Sequence, residues 1–567
     1  MPSRANLATK PLVLKRQKAK VSTRSSNFPV SAEVTVCDLP FHIDNTFTYG
    51  IPDEFVESAK IGSKVKVPFL QSEKFGYIRS ITRKEVSARP IISIKPNFGI
   101  SENHWGFLQA IAERYATNID AIIKFVRDSQ LIEVAPKKAR FKPRFEFSSD
   151  RTIRLIVREI EASQGITLLI APTERELHKI QNQLRNSGVS ENRCRFGLRS
   201  AILQETENLE SIVIFDEWSE HYREQKAPYW NLRDVALIRA RTQSLRILFV
   251  SALPSLELFR YQEQKIIDVG KREGRKLGER FSYLPSNFQE TLRSGLTLGS
   301  VLISVATKNV SLATICRRCR TSLKCKCGGR LRSEGKELIC SLCTEVVQNW
   351  RCVECNHRDF YEIKSGALNL KNQVSKMFPN TRIYISTAEK PVEVIEGKAI
   401  VIATPGMEPK SIYSAIAILD CEYRGNLPYL RADEFLRLQV FSLLELLISN
   451  GHFYLDLEGN HPLVQSLLKD RPMLQIEREY RELNQLQLPP IWNLTRISNG
   501  NMLQLAASLA ETFPFAKIQL SNRDRFLLIR TRIEDTPKLM EELRVLQKYL
   551  SIKSEKLLKI EREPVDI

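Results

Sequence analysis

Cysteines are the residues of this sequence whose spacing most clearly predicts chemistry, and eight of the eleven lie in one short stretch. They form four close pairs: Cys316 with Cys319, Cys325 with Cys327, Cys340 with Cys343, and Cys352 with Cys355. Zn²⁺ favours four thiolates in a tetrahedron, and one tight turn can present two sulfurs to one ion. The pattern therefore predicts two zinc sites whose ions supply folding energy to the stretch. Disulfides are the competing interpretation, but nothing else in the sequence is typical of a secreted protein.

The spacing alone leaves the grouping of the pairs open. In a nested arrangement the outer pairs share one ion and the inner pairs share the other, whereas a sequential arrangement divides the stretch into halves. Cys325 and Cys327 have one residue between them instead of two, so the site that contains them is the weaker one. His357 could act as a substitute ligand, although a solvated surface histidine is the more common situation.

The charge of the chain favours a polyanionic partner. The stretch 316–358 holds ten Lys and Arg against four acidic residues, and the whole chain has 85 Lys and Arg against 65 Asp and Glu. The resulting net charge of +20 indicates nucleic acid first and an anionic membrane surface second. A rigid, basic metal module would suit phosphates or an acidic partner.

No apolar run approaches the roughly 18 residues of a membrane span, and the best candidate, Glu434–Asn450, carries Arg437 and Glu445. Residues 1–32 contain seven Lys and Arg and no acid, which predicts a disordered basic arm that either holds nucleic acid or is merely solvated. A transit peptide is a further interpretation of this arm. Clustered cysteines without a secretion signal predict a reducing compartment, the cytoplasm.

Strand and helix patterns predict how these residues are positioned. Alternation in 33–98 predicts a small β domain, in which Phe47 and Tyr49 near Lys64 and Lys66 would suit single-stranded nucleic acid or simply form a barrel core with a solvated edge. Helical spacing in 99–144 predicts a winged-helix-like domain that ends in a basic linker or wing at 136–144.

Two α/β units follow, interrupted by the cysteine stretch. Buried-type strands are predicted at Ile166–Ala171, Ser211–Phe215 and Leu245–Val250, and again at Arg382–Ile385, Ala399–Ala403 and Ala415–Leu419, with helices that include Glu174–Asn186 and Glu434–Ser449. The predicted domains are a first lobe at 145–265, a polar connection that leads into the second lobe at 266–314, a zinc-binding module at 315–358, the second lobe at 359–475 and a small α+β domain at 476–567.

Asp216 and Glu217 follow a buried strand, as do the acids that hold Mg²⁺ and polarise water in P-loop NTPases. Two such α/β units indicate a helicase-type motor with ATP between its lobes. The phosphate cradle G-x-x-x-x-G-K-[ST] is absent, and the segment where it belongs, 145–152, has no glycine. We therefore interpret Asp216 and Glu217 as a vestigial nucleotide site and expect neither a catalytic residue nor bound ATP.

With these motifs the chain resembles the primosomal protein N′ (PriA) family of bacterial replication-restart helicases, and more closely an actinobacterial-type branch that lacks the ATPase motifs. The resemblance covers nearly everything after residue 33. It is carried by Leu39-Pro40, Phe47-Thr-Tyr49, Val65-Lys-Val-Pro-Phe69, Phe215-Asp-Glu-Trp-Ser-Glu-His-Tyr222, Ser251-Ala-Leu-Pro-Ser255 and the eight cysteines.

The resemblance implies several assignments that spacing leaves open. It implies the nested pairing of the cysteines and a module inserted in the second motor lobe. In the family the N-terminal domain grips the 3′ end of a nascent strand, but Thr48 stands here in place of an acid. Ala403–Pro409 and Gln439–Leu446 occupy the places of two further ATPase motifs, and the second retains no arginine.

We carry three functional hypotheses forward. The first is a monomeric restart protein that binds forked or single-stranded DNA and contacts primosome proteins, the replicative helicase or its loader, and a single-stranded DNA-binding protein, without unwinding DNA. The second is an active ATP-dependent 3′–5′ helicase with a divergent nucleotide site. The third is a zinc-ribbon nucleic-acid-binding protein outside replication.

Overall fold

The structure is a computed structural model that describes residues 25–43, 45–127, 129–131, 140–148, 152–272, 282–283, 288–308, 310–319, 321–326, 329, 331–334, 337–340, 345–425, 427, 430–521 and 525–564. The chain divides into two compact units. The first holds residues up to 105 with 127–134, and the second holds 106–126 with everything from 135 onwards. Within the described residues, no helix is long and apolar enough to cross a membrane.

The first unit is an eight-stranded sheet, as the alternating pattern predicts. Its strands are β1 (Ser26–Phe28), β2 (Ser31–Val36), β3 (Thr46–Gly50), β4 (Ser63–Phe69), β5 (Ser72–Thr82), β6 (Val86–Pro90), β7 (Ser93–Gly99) and β8 (Ser129–Gln130). They lie in the order β1-β6-β3-β2-β5-β4-β7-β8. The sheet begins inside the range 1–32 that was predicted as a disordered arm, and residues 1–24 of that arm lie outside the described residues.

Alternation decides which side chains of this sheet reach its core. Val65 and Val67 of β4 are buried, whereas Lys64 and Lys66, which alternate with them, point to the opposite face. Two helices, α1 (Glu102–Arg114) and α2 (Ile119–Ile123), follow in the chain where helical spacing predicts them. Residues 136–139 of the predicted basic linker or wing lie outside the described residues, so the winged-helix-like arrangement stays a prediction.

The first lobe of the second unit is a parallel sheet between helices. Its elements are β9 (Arg144–Phe147), α3 (Thr152–Ala162), β10 (Ile166–Ile170), α4 (Glu174–Asn186), β11 (Cys194–Gly197), β12 (Leu209–Phe215), α5 (Leu232–Gln243), β13 (Arg246–Ser251), α6 (Leu256–Glu263) and β14 (Asp268–Val269). The strand order is β11-β10-β12-β13-β9-β14, with every pair parallel. All strands therefore end at the same edge, where Asp216 and Glu217 follow β12.

The second lobe starts with β15 (Ser282–Tyr283), α7 (Phe288–Leu298) and β16 (Val301–Ser304), and the chain then enters the cysteine-rich module. Helix α7 shows that the range 266–314, predicted as a polar connection that leads into the second lobe, contains a regular helix. The glycine there does not end the helix: a Cβ on Gly295 would lie 2.3 Å from the Cβ of Ala415, so glycine permits close contact with the sheet. The strands of the module are β17 (Val310–Cys316), β18 (Leu331–Glu334), β19 (Glu337–Cys340), β20 (Val346–Val347) and β21 (Phe360–Ser365).

The chain then completes the second parallel sheet. Its elements are α8 (Ala367–Met377), β22 (Arg382–Ser386), β23 (Ala399–Ala403), β24 (Tyr413–Ile418), α9 (Cys421–Gly425), α10 (Ala432–Leu444), β25 (Leu447–Leu455), α11 (Pro462–Leu468) and α12 (Pro472–Gln485). The strand order is β15-β25-β24-β16-β23-β22. The helix predicted at Glu434–Ser449 ends earlier, because Leu447 already pairs with Tyr413 of β24.

The last domain is α+β, as predicted. It contains β26 (Trp492–Ser498), α13 (Met502–Thr512), β27 (Lys517–Leu520), β28 (Phe526–Arg532), α14 (Thr536–Ile552) and β29 (Lys559–Arg562). The strands are antiparallel in the order β27-β28-β26-β29, and Leu509, Leu539 and Leu543 of the helices help to form the core against them. The described residues are thus a multidomain α/β protein with two parallel lobes.

Candidate functional site

The outer cysteine pairs come together in a single cluster. The Sγ atoms of Cys316 and Cys355 are 3.5 Å apart, those of Cys319 and Cys352 are 3.3 Å apart, and all four lie within 4.8 Å of one another. Tetrahedral Zn–S bonds of about 2.3 Å would separate the sulfurs by about 3.8 Å. The four thiols are therefore spaced as ligands of one metal ion.

Antiparallel pairing explains why cysteines so distant in sequence meet. Strands β17 and β21 pair with Cys316 opposite Phe360, so the start and the end of the module lie side by side. Cys316 and Cys352 are buried in a small core with Leu323, Leu331 and Leu338. This core holds few large side chains, in agreement with a module that depends on metal for its folding.

Each cysteine pair begins a turn that a backbone hydrogen bond closes. In three pairs the N–H of the first cysteine donates to the carbonyl oxygen five residues later, at 2.9 Å (Cys316 to Thr321, Cys340 to Glu345, Cys352 to His357). In the fourth pair the N–H of Cys325 donates to Gly329, four residues later, at 2.7 Å. The span that the hydrogen bond closes is therefore one residue shorter at Cys325, which matches the missing residue between Cys325 and Cys327.

The inner site is described in part. Cys325 and Cys340 are buried in the core of the module, whereas Cys327 and Cys343, the second members of the inner pairs, lie outside the described residues. His357 does not join the four-thiol cluster, and its Nε2 lies 3.5 Å from a carboxylate oxygen of Asp359. Its carbonyl oxygen, not its ring, supports the site by closing the last turn.

The four predicted DNA-binding residues occupy two different environments. Tyr49 is only 4% exposed and its hydroxyl donates to the carbonyl of Pro68 at 3.1 Å, so its ring belongs to the core. Phe47 packs edge-on against Phe69, with ring centroids 5.2 Å apart. Lys64 and Lys66 lie on the outer face of β4, where Lys66 pairs with Glu73. The two lysines thus share a face with β5 side chains instead of with Phe47 and Tyr49.

Asp216 lies at the wall of a cavity of about 340 Å³ between the two lobes. The cavity is lined by the first lobe through Thr173, Glu176, Asp216 and Trp218, and by the second lobe through Pro405, Gly406, Glu408, Lys410, Arg424, Gln439 and Ser442. The end of β12, the loop at 403–410 and helix α10 therefore border one space, together with the start of α4 and helix α9. The Lys410 ammonium lies 3.1 Å from a carboxylate oxygen of Glu176, across the boundary between the lobes.

Glu217 faces away from this cavity into a buried ionic cluster. It is 1% exposed, and its Oε1 accepts a hydrogen bond from the N–H of Ser255 at 3.0 Å. The buried Arg233 guanidinium lies 3.7 Å from Glu217 and 3.1 Å from Glu257. Glu217 therefore anchors the segment before α6. Burial raises the pKa of Glu217 to about 7, although Arg233 and the Ser255 N–H act in the opposite direction.

The cluster continues into the second lobe. Arg431 lies 2.5 Å from Glu257 and 3.0 Å from Glu434, and the N–H of Leu256 donates to Glu434 at 2.7 Å. Further contacts cross the same boundary, from Arg175 to the carbonyl of Val392 at 2.9 Å and from Lys179 to that of Lys410 at 3.0 Å. Sequence reasoning missed these residues, because the sequence does not distinguish a charged residue that is buried beside a partner from one that is exposed on the surface.

The raised pKa of Glu217 leads to a prediction for Glu217→Gln. The amide keeps an oxygen for the Ser255 N–H and removes a charge whose burial is unfavourable. The wild-type protein should lose stability as pH rises from about 4.5 to about 7, because the folded state holds a proton that the unfolded state releases. We expect the variant to have a free energy of unfolding roughly 1–3 kcal/mol higher above pH 7 and nearly equal to wild type below pH 4.5. Urea unfolding at several pH values measures this, and a variant less stable above pH 7 would contradict it.

Comparisons with known proteins give concordant results. A family model for the PriA 3′ DNA-binding domain (3′BD) matches residues 35–126. The chain is 27% identical over 326 residues to "Probable replication restart protein PriA" of Mycobacterium bovis, which covers 52% of this chain and 50% of that protein. The match to "Replication restart protein PriA" of Bacillus subtilis is 24% identical over 213 residues, 33% of this chain and 26% of that protein.

A longer alignment is found with another protein of the same name. "Replication restart protein PriA" of Rickettsia prowazekii is 23% identical over 413 residues, covering 62% of this chain and 61% of that protein. The chain thus aligns with about half the length of the first curated relatives it matches. Among solved structures, Saccharomyces cerevisiae Dbp5 bound to RNA and ADP–beryllium fluoride aligns over 68% of this chain and 97% of that one, with a TM-score of 0.32 and 9% identity, which is too weak to indicate a shared fold.

Proposed function

We propose that this chain, which belongs to the PriA family of replication restart proteins, recognises stalled or abandoned replication forks and helps to reload the replicative helicase. It acts as a scaffold and does not unwind DNA with ATP. One observation supports the absence of ATP-driven unwinding: the Glu217 side chain lies in a buried ionic cluster and does not line the cavity between the lobes.

A water-polarising carboxylate must face the nucleotide. Glu217 instead accepts the Ser255 N–H and neighbours Arg233 inside the protein, so it has no route to a water beside a γ-phosphate. Reorienting it would leave Arg233 with one fewer anion and the N–H of Ser255 without its acceptor, at a cost of about 1–3 kcal/mol for the lost acceptor alone. These contacts support a structural role for Glu217.

The cations around the cavity also have internal partners. Lys410 pairs with Glu176, and Arg424 donates to Gln439 at 2.7 Å and to the hydroxyl of Ser304 at 3.1 Å. Four acids also line the cavity, namely Glu176, Asp216, Glu220 and Glu408. A triphosphate would meet these acids without a glycine-rich cradle to hold it. The composition of the cavity supports the interpretation of Asp216 and Glu217 as a vestigial nucleotide site.

The contacts between the lobes favour a fixed arrangement. A motor must open and close its lobes in each cycle, and this requires interfaces that separate at small cost. Here separation would break the Arg431–Glu257 pair and expose Glu434 without the N–H of Leu256. A nucleotide-independent platform for DNA and protein partners therefore fits these residues better than a cycling motor.

We infer that Zn²⁺ binds Cys316, Cys319, Cys352 and Cys355, and that a second Zn²⁺ binds Cys325, Cys327, Cys340 and Cys343. The sulfur spacing of the outer set and the closed turn at Cys325 support this assignment. Zinc would cross-link the turns and so supply the folding energy that the small core lacks. The basic surface of the module would then contact primosome proteins, the replicative helicase or its loader, or a single-stranded DNA-binding protein.

Fork binding is the first test of this proposal. Purified full-length protein should bind a labelled fork more tightly than duplex DNA of equal length, as measured by fluorescence anisotropy. The affinity should fall steeply as the salt concentration rises, because binding releases counterions. In a plot of log binding constant against log salt concentration, each neutralised phosphate should add about −0.9 to the slope. Equal affinity for fork and duplex would contradict fork recognition.

ATP hydrolysis is the second readout. We expect no DNA-stimulated hydrolysis by the wild-type protein, and the same fork affinity for Asp216→Ala. Hydrolysis that requires both DNA and Asp216 would overturn the proposal in favour of an active helicase.

A further inference from the structure

The outer face of the first unit carries exposed aromatic rings that no assignment so far uses. Phe75 of β5 is 55% exposed and Phe98 of β7 is 36% exposed. Each ring has a lysine above it: the Nζ of Lys64 is 5.1 Å from the centroid of Phe75, and the Nζ of Lys95 is 4.3 Å from the centroid of Phe98. Exposed aromatic residues beside cations are unusual in a solvated sheet face and suit a ligand with both flat rings and negative charge.

Strand order places these groups in one row. Strands β5, β4 and β7 are neighbours, and the register sets Phe75 opposite Lys66 and Lys66 opposite Ser93, so these side chains share the outer face. Phe98 follows on β7, across from the start of β4, where Ser63 pairs with Gly99. With strands about 4.8 Å apart and a further offset of two to three residues along the strands, the two rings lie on a diagonal, roughly 12–14 Å apart. We call Phe75, Lys64, Lys66, Lys95 and Phe98 the outer strip.

We propose that the outer strip binds single-stranded nucleic acid by stacking two bases on Phe75 and Phe98, while Lys64, Lys66 and Lys95 contact the phosphates between them. This combination of a basic track and aromatic platforms is general to single-strand binding surfaces and needs no base sequence. Duplex DNA cannot use the strip in the same way, because its base faces are already stacked. The proposal rests on the proposed function, since it names the DNA structure that the first unit recognises.

The existing contacts of the strip do not oppose such a ligand. Glu73 pairs with Lys66 at the surface, and exchanging an exposed ion pair for a phosphate costs little. Lys64 already lies over Phe75, and Lys95 lies over Phe98. These two charges are therefore close to the position of a phosphate next to a stacked base. Tyr49 and Tyr77 are buried and contribute no platform.

Two matched double variants of the full-length chain test the stacking. Phe75→Leu with Phe98→Leu keeps apolar side chains of similar bulk but removes both ring faces, whereas Phe75→Tyr with Phe98→Tyr keeps the faces. Binding of labelled oligo(dT) should weaken by about tenfold per lost ring in the Leu variant and stay near wild type in the Tyr variant. The log–log salt slope should be unchanged in both, because neither alters charge. Lys64→Ala with Lys95→Ala should instead reduce the slope by about 1.4.

The outcomes separate this inference from the proposed function. If the wild-type protein binds oligo(dT) and the Leu variant binds it equally well, the outer strip is not the binding surface, and fork recognition by other residues still stands. If the wild-type protein binds neither oligo(dT) nor a fork, the proposed function itself fails. Loss of binding in both the Leu and the Tyr variants would also contradict stacking, since the ring faces are present in the second.

Discussion

Cys316→Ser is expected to remove one metal ion per chain and to unfold the module between β17 and β21. Cys316 is fully buried at the centre of the module core and lies 3.5 Å from Cys355, so its loss removes both a ligand and a core contact. Structural zinc contributes about 10–16 kcal/mol of binding free energy in small zinc-dependent folds, far more than this core can replace. Chelation of the metal should have the same effect as the substitution.

Metal analysis and limited proteolysis measure this result. The metal content should fall by one ion per chain, and new cleavage should appear between residues 316 and 360, while the two parallel lobes keep their resistance. DNA binding should be kept in part, because the first unit does not contain the module. Cys37→Ser is the matched control, a cysteine outside the cluster whose substitution should leave metal content unchanged. An unchanged metal content in Cys316→Ser would exclude this residue as a ligand.

Arg233→Met is expected to be strongly destabilising. Burial raises the pKa of the Glu257 carboxyl, but the neighbouring cations Arg233 and Arg431 outweigh this effect and lower the pKa to about 2. Glu257 is therefore charged inside the protein. Removing Arg233 would leave Glu217 and Glu257 buried with one cation fewer. Breaking a buried ion pair from one side costs about 3–5 kcal/mol, because the remaining charge has lost its compensation.

Urea unfolding followed by fluorescence measures this loss. Arg478→Ala is the matched control: its pair with Glu482 is exposed on α12 at 2.8 Å, and its loss should cost at most about 0.5 kcal/mol. Adding Glu257→Gln to Arg233→Met should restore part of the stability, since the uncompensated charge disappears with it. A loss below about 1 kcal/mol in Arg233→Met would show that the cluster does not stabilise the junction between the lobes.

The cysteine pairs show what local sequence can establish. Two thiols separated by one or two residues lie close together in almost any conformation, so the four pairs and the prediction of metal ligands follow from sequence neighbours. The buried strands of both lobes are predicted equally well. A short run of apolar, β-branched residues is typical of a strand in a parallel sheet that is covered on both faces. Helix Glu174–Asn186 is predicted with its observed bounds, since Thr173 caps it through a hydrogen bond to the N–H of Glu176.

Errors arose where distant residues decide the local structure. The polar connection predicted within 266–314 contains helix α7, because Gly295 has no side chain and so allows α7 to touch β24. Residues 447–449 continue a helical pattern, yet they form a strand because β24 offers a hydrogen-bonding edge. Tyr49 looked like a stacking residue, and its hydroxyl bond to Pro68 places it in the core. In each case a partner far along the chain outweighs local preference.

By itself the sequence determined the four close cysteine pairs, the two α/β units, the absence of a phosphate cradle and the basic character of the chain. These properties depend on residue types and on short spacings between residues, and both can be read directly from the sequence. The spacing of the cysteines left open which pairs meet, and the tertiary structure brings Cys316 and Cys355 together. Tertiary structure also decided that Glu217 lies in a buried cluster beside Arg233, and that Phe75 rather than Phe47 accompanies the lysines of β4. The physical reason is that thiol clusters, buried ion pairs and shared sheet faces depend on distances between segments, which only strand pairing and lobe docking set.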